Sequence, residues 1–221
     1  MRVWHTELVK TILLTGAAGD LGKAIADSLP KNEYDVIEVT HQDADLSSFS
    51  DIDQLLKHVV VGTPRIDWVI CAHGYIDTET VLEKQSPEAI QKTFEVNTLS
   101  IIYLTRQFLP HIPEGGGVIA LSSSAGLQAN GRFSAYSASK AAVNNFIQAM
   151  ARNRPEKKFF AVCPGPTNTT MRERVAGDAA KMQSPIVVAK VVNRLVGDTT
   201  DYKSGDLILV KDGVVSVAGQ I

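Results

Sequence analysis

Short apolar runs alternate with stretches of helical spacing along almost the whole chain. Thr11–Thr15 (TILLT) has a continuous apolar centre and is too short for a helix, as expected of a strand buried on both faces. A glycine-rich turn follows. Leu21, Ala24, Ile25, Ser28 and Leu29 then recur at three- and four-residue intervals until Pro30 stops the helix. Val36–Val39, Trp68–Cys71, Val118–Leu121, Phe159–Cys163 and Leu207–Val210 form five more strand candidates. Helical patterns fill the gaps between them. One starts at a Ser50 cap and runs to about Val60, with Leu55, Leu56 and Val59 on one face. Others run from Ser86-Pro87 to about Leu109, from Ser134 to Arg152, and from Ser184-Pro185 to about Leu195. Serine at the cap and proline in the first turn is a helix-start signature. The alternation implies right-handed βαβ units, hence an α/β fold: a doubly wound parallel sheet with helices on both faces. One stretch fits poorly. Only His41–Ala44 separates the second strand from Asp45-Leu46, and a parallel crossover needs a dozen or more residues. A strand at Asp45-Leu46 must therefore be very short or irregular.

The 221 residues suit one domain spanning the whole chain and need no disulfide or metal staples. With 44% apolar and 21% charged residues the composition is that of a globular protein. A net charge of −2, without long runs of one sign, argues against nucleic acid or an anionic membrane as the main partner. Cys71 and Cys163 end apolar runs, which predicts buried free thiols and no metal site. The opening MRVWHTELVK lacks the apolar centre of a signal peptide, and no run approaches the ~20 apolar residues of a membrane span. A cytoplasmic setting is the expectation.

Two features carry chemistry. Thr15-Gly16-Ala17-Ala18-Gly19-Asp20-Leu21-Gly22 joins the first strand to the first helix. Glycine lets the backbone turn sharply and come close to a pyrophosphate, and the helix N-terminus offers free N–H groups to it. Asp20 is awkward there, because its carboxylate repels phosphate unless it points away or caps the helix. The second feature is Tyr136 and Lys140 in YSASK, one helical turn apart on one face and just beyond Ser122-Ser123-Ser124. A phenol titrates near pH ~10, and a neighbouring ammonium favours the phenolate, which predicts a lowered pKa for Tyr136. Such a tyrosine exchanges a proton with an alcohol or carbonyl oxygen that a serine hydroxyl can hold at the same time.

Together with Asp45-Leu46, Asn97 in FEVNTLS, CPGPTNT and SGDLILVKDG, these motifs resemble the short-chain dehydrogenase/reductase family, in order and spacing, from about Thr11 to Gly213. The resemblance implies a single Rossmann-type domain, a nicotinamide cofactor, and hydride transfer between NAD(P)(H) and a carbonyl or alcohol. By position it makes Tyr136 the acid/base and Ser123, thirteen residues earlier, the substrate-holding serine. Lys140 becomes the residue on the nicotinamide ribose, and Asn97 the holder of a water at a helix irregularity. It places the cofactor against Gly16, Gly19, Asp20, Leu21, Gly22, Thr40, His41, Asp45, Leu46, Ala72, Gly74, Pro164, Gly165, Thr167 and Thr169. It also implies pairing of the long helices into homodimers or homotetramers, for which Ile101, Ile102, Phe146 and Ile147 are spare apolar residues.

The chain departs from the family at Cys71-Ala72-His73-Gly74, where N-N-A-G is usual. The hydrogen bonds of two asparagines are lost, and His73 lines the groove, substitutes as a polar partner, or simply packs. The glycine spacing is nearer that of epimerase-like members. With Thr40 and His41 at the end of the second strand, and no acid at that rim, NADP is favoured over NAD. A silent dinucleotide-binding regulator and an epimerase or lyase are the rival readings. Substrate contacts are expected from 125–133 and 171–183, a short, polar segment whose brevity suggests an open pocket.

Overall fold

The computed structural model describes residues 9–128 and 130–220. Most of the opening segment weighed as a signal peptide, residues 1–8, lies outside them, as does position 129. Seven strands form one sheet: β1 (Lys10–Thr15), β2 (Tyr34–Val39), β3 (Trp68–Cys71), β4 (Gly117–Leu121), β5 (Lys158–Pro164), β6 (Leu207–Lys211) and β7 (Val214–Gly219). Their order is β2-β1-β3-β4-β5-β6-β7, parallel throughout except for β7. Strand side chains alternate between faces, and each face has its own apolar layer. Ile12, Leu14, Trp68, Ile70, Ile119 and Phe160 bury against α1 (Asp20–Ser28) and α7 (Pro185–Val196). Leu13, Val69, Val118, Ala120, Phe159 and Ala161 bury against the opposite helices. These are α2 (Phe49–Gly62), α4 (Ser100–Phe108) and α5 (Ser134–Asn153).

The doubly wound parallel sheet is thus the one the alternation predicts, with four differences. No strand forms at Asp45-Leu46. Asp45 instead closes a turn, accepting from the Ser47 amide at 2.9 Å and the Ser47 hydroxyl at 2.7 Å, and Leu46 packs on the core. The crossover from β2 reaches β3 through α2 alone. Ser48, not Ser50, caps α2, accepting from the Asp51 amide at 3.3 Å. The long helix from Ser86 is not continuous. α3 (Pro87–Phe94) passes into a π-turn, Glu95–Leu99, before α4 begins. Finally, Asp212 and Gly213 both take positive φ (52° and 77°), the conformation of a two-residue hairpin turn, and return the chain as the antiparallel edge strand β7. Ile101 and Ile147, expected at a helix-pairing surface, lie in the core, whereas Ile102 and Phe146 are half-exposed. Among the described residues, no helix is long and apolar enough to cross a membrane.

The packing of α1 on β1 fixes the glycines of the turn. A Cβ at Gly22 would lie 2.1 Å from the Gly16 carbonyl oxygen, backbone that cannot yield. Gly22→Ala should therefore cost about 3 kcal/mol, lowering Tm by on the order of 10 °C. Gly62→Ala, with nothing within 4 Å of its would-be Cβ, should be neutral or slightly stabilising. Thermal unfolding followed by circular dichroism checks both. Equal Tm values for the two variants would show that the turn is not so tightly packed.

Candidate active site

Because β1 to β6 are parallel, the C-terminal ends of β1, β3, β4 and β5 share one edge of the sheet, the usual ligand edge of open α/β folds. The glycine turn lies there. Gly16 has φ +73°, and a Cβ on it would strike the His73 backbone nitrogen at 2.5 Å, so only glycine lets the turn pass this close to the end of β3. Gly16 and Ala17 donate their amides to the Val39 carbonyl at 2.9 and 3.2 Å, which ties the turn to the end of β2. Gly19, the N-cap of α1, provides no side chain to occupy the first amides of that helix. Leu21 packs on the α1 side of the core. Asp20 points away from the turn and accepts the Thr170 amide at 2.7 Å, across 150 residues of sequence. A bare helix N-terminus behind a glycine cradle, with its one carboxylate turned aside, fits the pyrophosphate of a dinucleotide.

The neighbouring rim holds an acid that the sequence reading missed. Asp43 accepts both the Thr40 amide and the Thr40 hydroxyl at 2.8 Å. These bonds, with the His41 charge nearby, hold its carboxyl below the usual range. The two Thr40 donors expected to meet a 2′-phosphate are therefore engaged by a carboxylate. The Thr-x-x-Asp spacing was the available signal, since it matches a local side-chain-to-backbone cap. Asp45 lies further along the same loop.

Ser123, Tyr136, Lys140 and Asn97 come together in the middle of this edge. Ser123, at the end of β4, is extended and its hydroxyl accepts the Ala125 amide at 3.1 Å. The same hydroxyl lies near enough to Tyr136 to favour its phenolate. The Lys140 ammonium is 5.9 Å from the centre of the Tyr136 ring and donates to the Leu121 carbonyl at 2.8 Å. Burial pushes the Lys140 ammonium down to about 8, opposed by the nearby Cys163 and Cys71 thiols. Burial raises the Tyr136 phenol, which Ser123 opposes and Cys163 reinforces. The expected lowering of Tyr136 by Lys140 is thus not what this geometry gives. The ammonium faces a carbonyl at the ring's flank, and desolvation of the phenolate outweighs it. Asn97 sits in the π-turn, the helix irregularity anticipated for it. Its amide binds the Tyr75 nitrogen at 2.7 Å, the Tyr75 oxygen at 2.8 Å and the Ser139 hydroxyl at 3.0 Å. A Cβ on Gly74 would lie 3.4 Å from Asn97 Oδ1 and 3.6 Å from Lys140 Nζ, so the glycine leaves room where these two groups converge.

His73 does not line the groove. Its ring nitrogens lie 2.6 Å from the Thr15 hydroxyl and 2.7 Å from the Ser100 hydroxyl. Burial, and secondarily Lys140, press its pKa down to about 3, so it is neutral. Ala72 donates its amide to Thr15 at 3.0 Å. Pro164 ends β5 beside β6, and the Gly165 amide bonds Val210 at 2.8 Å. The Thr167 hydroxyl donates to the Gly165 carbonyl, and Thr169 caps α6 (Thr170–Ala176). Tyr136 is half-buried, and its ring belongs to a small apolar cluster. Met171, Val175 and Ala176 of α6 pack with Ile76, Phe133 and Tyr136. Asp20 at Thr170 and Arg132 at the Val175 carbonyl (2.7 Å) hold the two ends of α6.

An open doubly wound sheet with a glycine cradle and a serine–tyrosine–lysine cluster on its ligand edge defines a dinucleotide-dependent class of α/β protein. The sequence profile of the short chain dehydrogenase family matches residues 38–180, and the chain belongs to that family. It is similar to a diacetyl reductase, (S)-acetoin forming, of Staphylococcus epidermidis, at 25% identity over 93% of this chain and 98% of that one. Versicolorin reductase 1 of Aspergillus parasiticus is 27% identical over 92% of this chain and 95% of that one. A short chain dehydrogenase of Shigella flexneri, solved in complex with NADP, superposes with a TM-score of 0.81 at 26% identity, covering 89% of this chain and 94% of that one.

A lysine pKa of about 8 against ~10.5 in the unfolded chain means that at pH 7 the folded state carries the full cost of a buried charge, roughly 3 kcal/mol. That cost is relieved as pH rises from about 8 to about 10.5, where the unfolded chain binds the extra proton. Cys71 and Cys163, pushed up to about 12, oppose this at the alkaline end, so the parent is compared with a variant that retains them. Lys140→Met should raise Tm at pH 7, and its advantage should shrink between pH 8 and 10.5. A lower Tm at pH 7 would show that the bond to Leu121 outweighs desolvation.

Proposed function

We propose that this chain transfers a hydride between NAD(P)(H) and a carbonyl or alcohol carbon of a small molecule. The observation that carries the reading is the buried Lys140 ammonium 5.9 Å from the Tyr136 ring centre, with Ser123 at the end of β4 beside them, on the sheet edge that also holds the glycine cradle. When bound, the nicotinamide supplies or accepts the hydride. Gly16, Gly19, Leu21 and Gly22 form the cradle for its pyrophosphate. Thr40, His41, Asp45, Leu46, Ala72 and Gly74 form the adenosine side, and Pro164, Gly165, Thr167 and Thr169 the nicotinamide side. Ser123 and Tyr136 hold the substrate oxygen between two hydroxyls. Ser123 steadies the charge that grows there, and Tyr136 gives up its proton. A phenol held above its ordinary pKa stays protonated at neutral pH, which suits it as the acid of carbonyl reduction. Lys140 holds the ribose, and Asn97 braces the turn of chain beside it.

Two buried free thiols suit a reducing, cytoplasmic setting. A groove of about 620 Å³, lined by Ile102, Leu109, Phe146 and Met150, lies on the outer face of α4 and α5, and supports pairing of two copies there into a homo-oligomer.

Tyr136→Phe should lower turnover of an aldehyde and ketone panel by roughly 10²- to 10⁴-fold, with dinucleotide Kd within about twofold. Normal turnover by this variant defeats the assignment, and dinucleotide binding with no turnover by the parent points to a silent regulator. Asp43→Asn removes a charge beside Thr40 while keeping an acceptor. It should shift relative affinity towards NADPH over NADH by about tenfold, read by fluorescence titration. An unchanged ratio would place the 2′ position away from Asp43.

A further inference from the structure

His73 is half-buried, and both its ring nitrogens face groups that are themselves committed, which decides where its proton lies. In the π-turn Glu95–Leu99 the Ser100 amide bonds Glu95, five residues back, and not Val96 as it would in an unbroken α-helix. The Val96 carbonyl is met instead by the Ser100 hydroxyl, at 2.6 Å. With that hydrogen committed, the proton between Ser100 Oγ and His73 Nε2 belongs to the imidazole. Nδ1 is then the acceptor, and the Thr15 hydroxyl donates to it at 2.6 Å. The alternative acceptor for Thr15, the Ile70 carbonyl, is further off at 3.4 Å. A neutral Nε2–H imidazole satisfies every partner. It joins the end of β1 to the residue that closes the π-turn, and both partners, Thr15 and Ser100, are fully buried.

The π-turn in turn aims Asn97. From it the bonds run to the Tyr75 backbone and to Ser139, whose hydroxyl donates to the Tyr136 carbonyl at 2.7 Å. Ser139 is the residue before Lys140. We propose that His73 is a positioning residue for the reaction: through Ser100 it fixes the π-turn, and through Asn97 and Ser139 it sets the helical turn that carries Tyr136 and Lys140. This rests on the dehydrogenase reading above. A histidine at the third position of Cys71-Ala72-His73-Gly74 thereby supplies a sheet-to-helix link where the usual asparagines are missing.

The full chain, labelled with ¹⁵N, should show His73 at pH 7 as the neutral Nε2–H tautomer. Ser100→Ala and His73→Phe should each speed amide exchange across 95–99 by about tenfold or more. Each should lower kcat on the aldehyde and ketone panel by roughly tenfold, with dinucleotide Kd within about twofold. The double variant should be no worse than the poorer single one, because both remove one connection. His73→Gln, which keeps a donor towards Ser100, should recover at least about half of the lost rate. An Nδ1–H tautomer, an imidazolium, additive losses, or unchanged exchange at 95–99 would each overturn the proposal. Should His73→Phe fail to fold, Ser100→Ala decides the matter. Absence of turnover by the parent would overturn the dehydrogenase reading, while the tautomer and exchange results still decide where His73 acts.

Discussion

The Lys140 ammonium, 2% exposed, is anchored on the Leu121 carbonyl, and the site is arranged around that contact. It pins α5 to the end of β4, which places Tyr136 over Ser123. A charge in such a position is disfavoured by desolvation and needs close partners. The ones present are a carbonyl and, less directly, two thiols that stay protonated. This is a stability cost at a place where packing alone would put an aliphatic residue. Such local conflict is expected where chemistry, not folding, selects the residue.

The cleft above Lys140 is bounded by contacts between segments far apart in sequence. Asp20 reaches Thr170, and Arg132 reaches the Val175 carbonyl, so α6 is fastened at both ends and packs its apolar side onto the phenol. The same packing explains the phenol's raised pKa: the phenolate loses water, while Lys140 is turned to a carbonyl. Met171 and Val175 thus border Tyr136 from α6, whose position depends on these two bonds.

Most of the sheet was legible because periodicity reports burial directly. The central strands are apolar on both faces, and their neighbours repeat at helical spacing. The glycine turn and the Ser123, Tyr136 and Lys140 set were legible through motif order. What escaped was local hydrogen-bond chemistry. The Asp-Gly pair at 212–213 was a hairpin signal in plain view and went unused for β7. Ser50 and Ser48 both precede the same helix, and only the backbone conformation decides which caps it. Thr40 and Asp43 are an unremarkable pair until a bend brings the carboxylate back to the strand end. The π-turn has no signature of its own in EVNTL, because it is maintained by side chains from elsewhere in the fold.

That dependence bears on how the family's machinery survives the loss of its asparagines. A π-turn gives up regular helix bonding, so it persists only where other groups hold it. Here Ser100 meets the Val96 carbonyl, His73 meets Ser100, and Thr15 meets His73. Each link needs the next one to present a donor or an acceptor, and an aliphatic residue at position 73 would leave two buried hydroxyls without it. The departure at Cys71-Ala72-His73-Gly74 is therefore better understood as a rewiring than as decay. Thr15, Ser100 and the Val96 carbonyl remain matched, and the residue that links them is the one that distinguishes this chain from the usual motif.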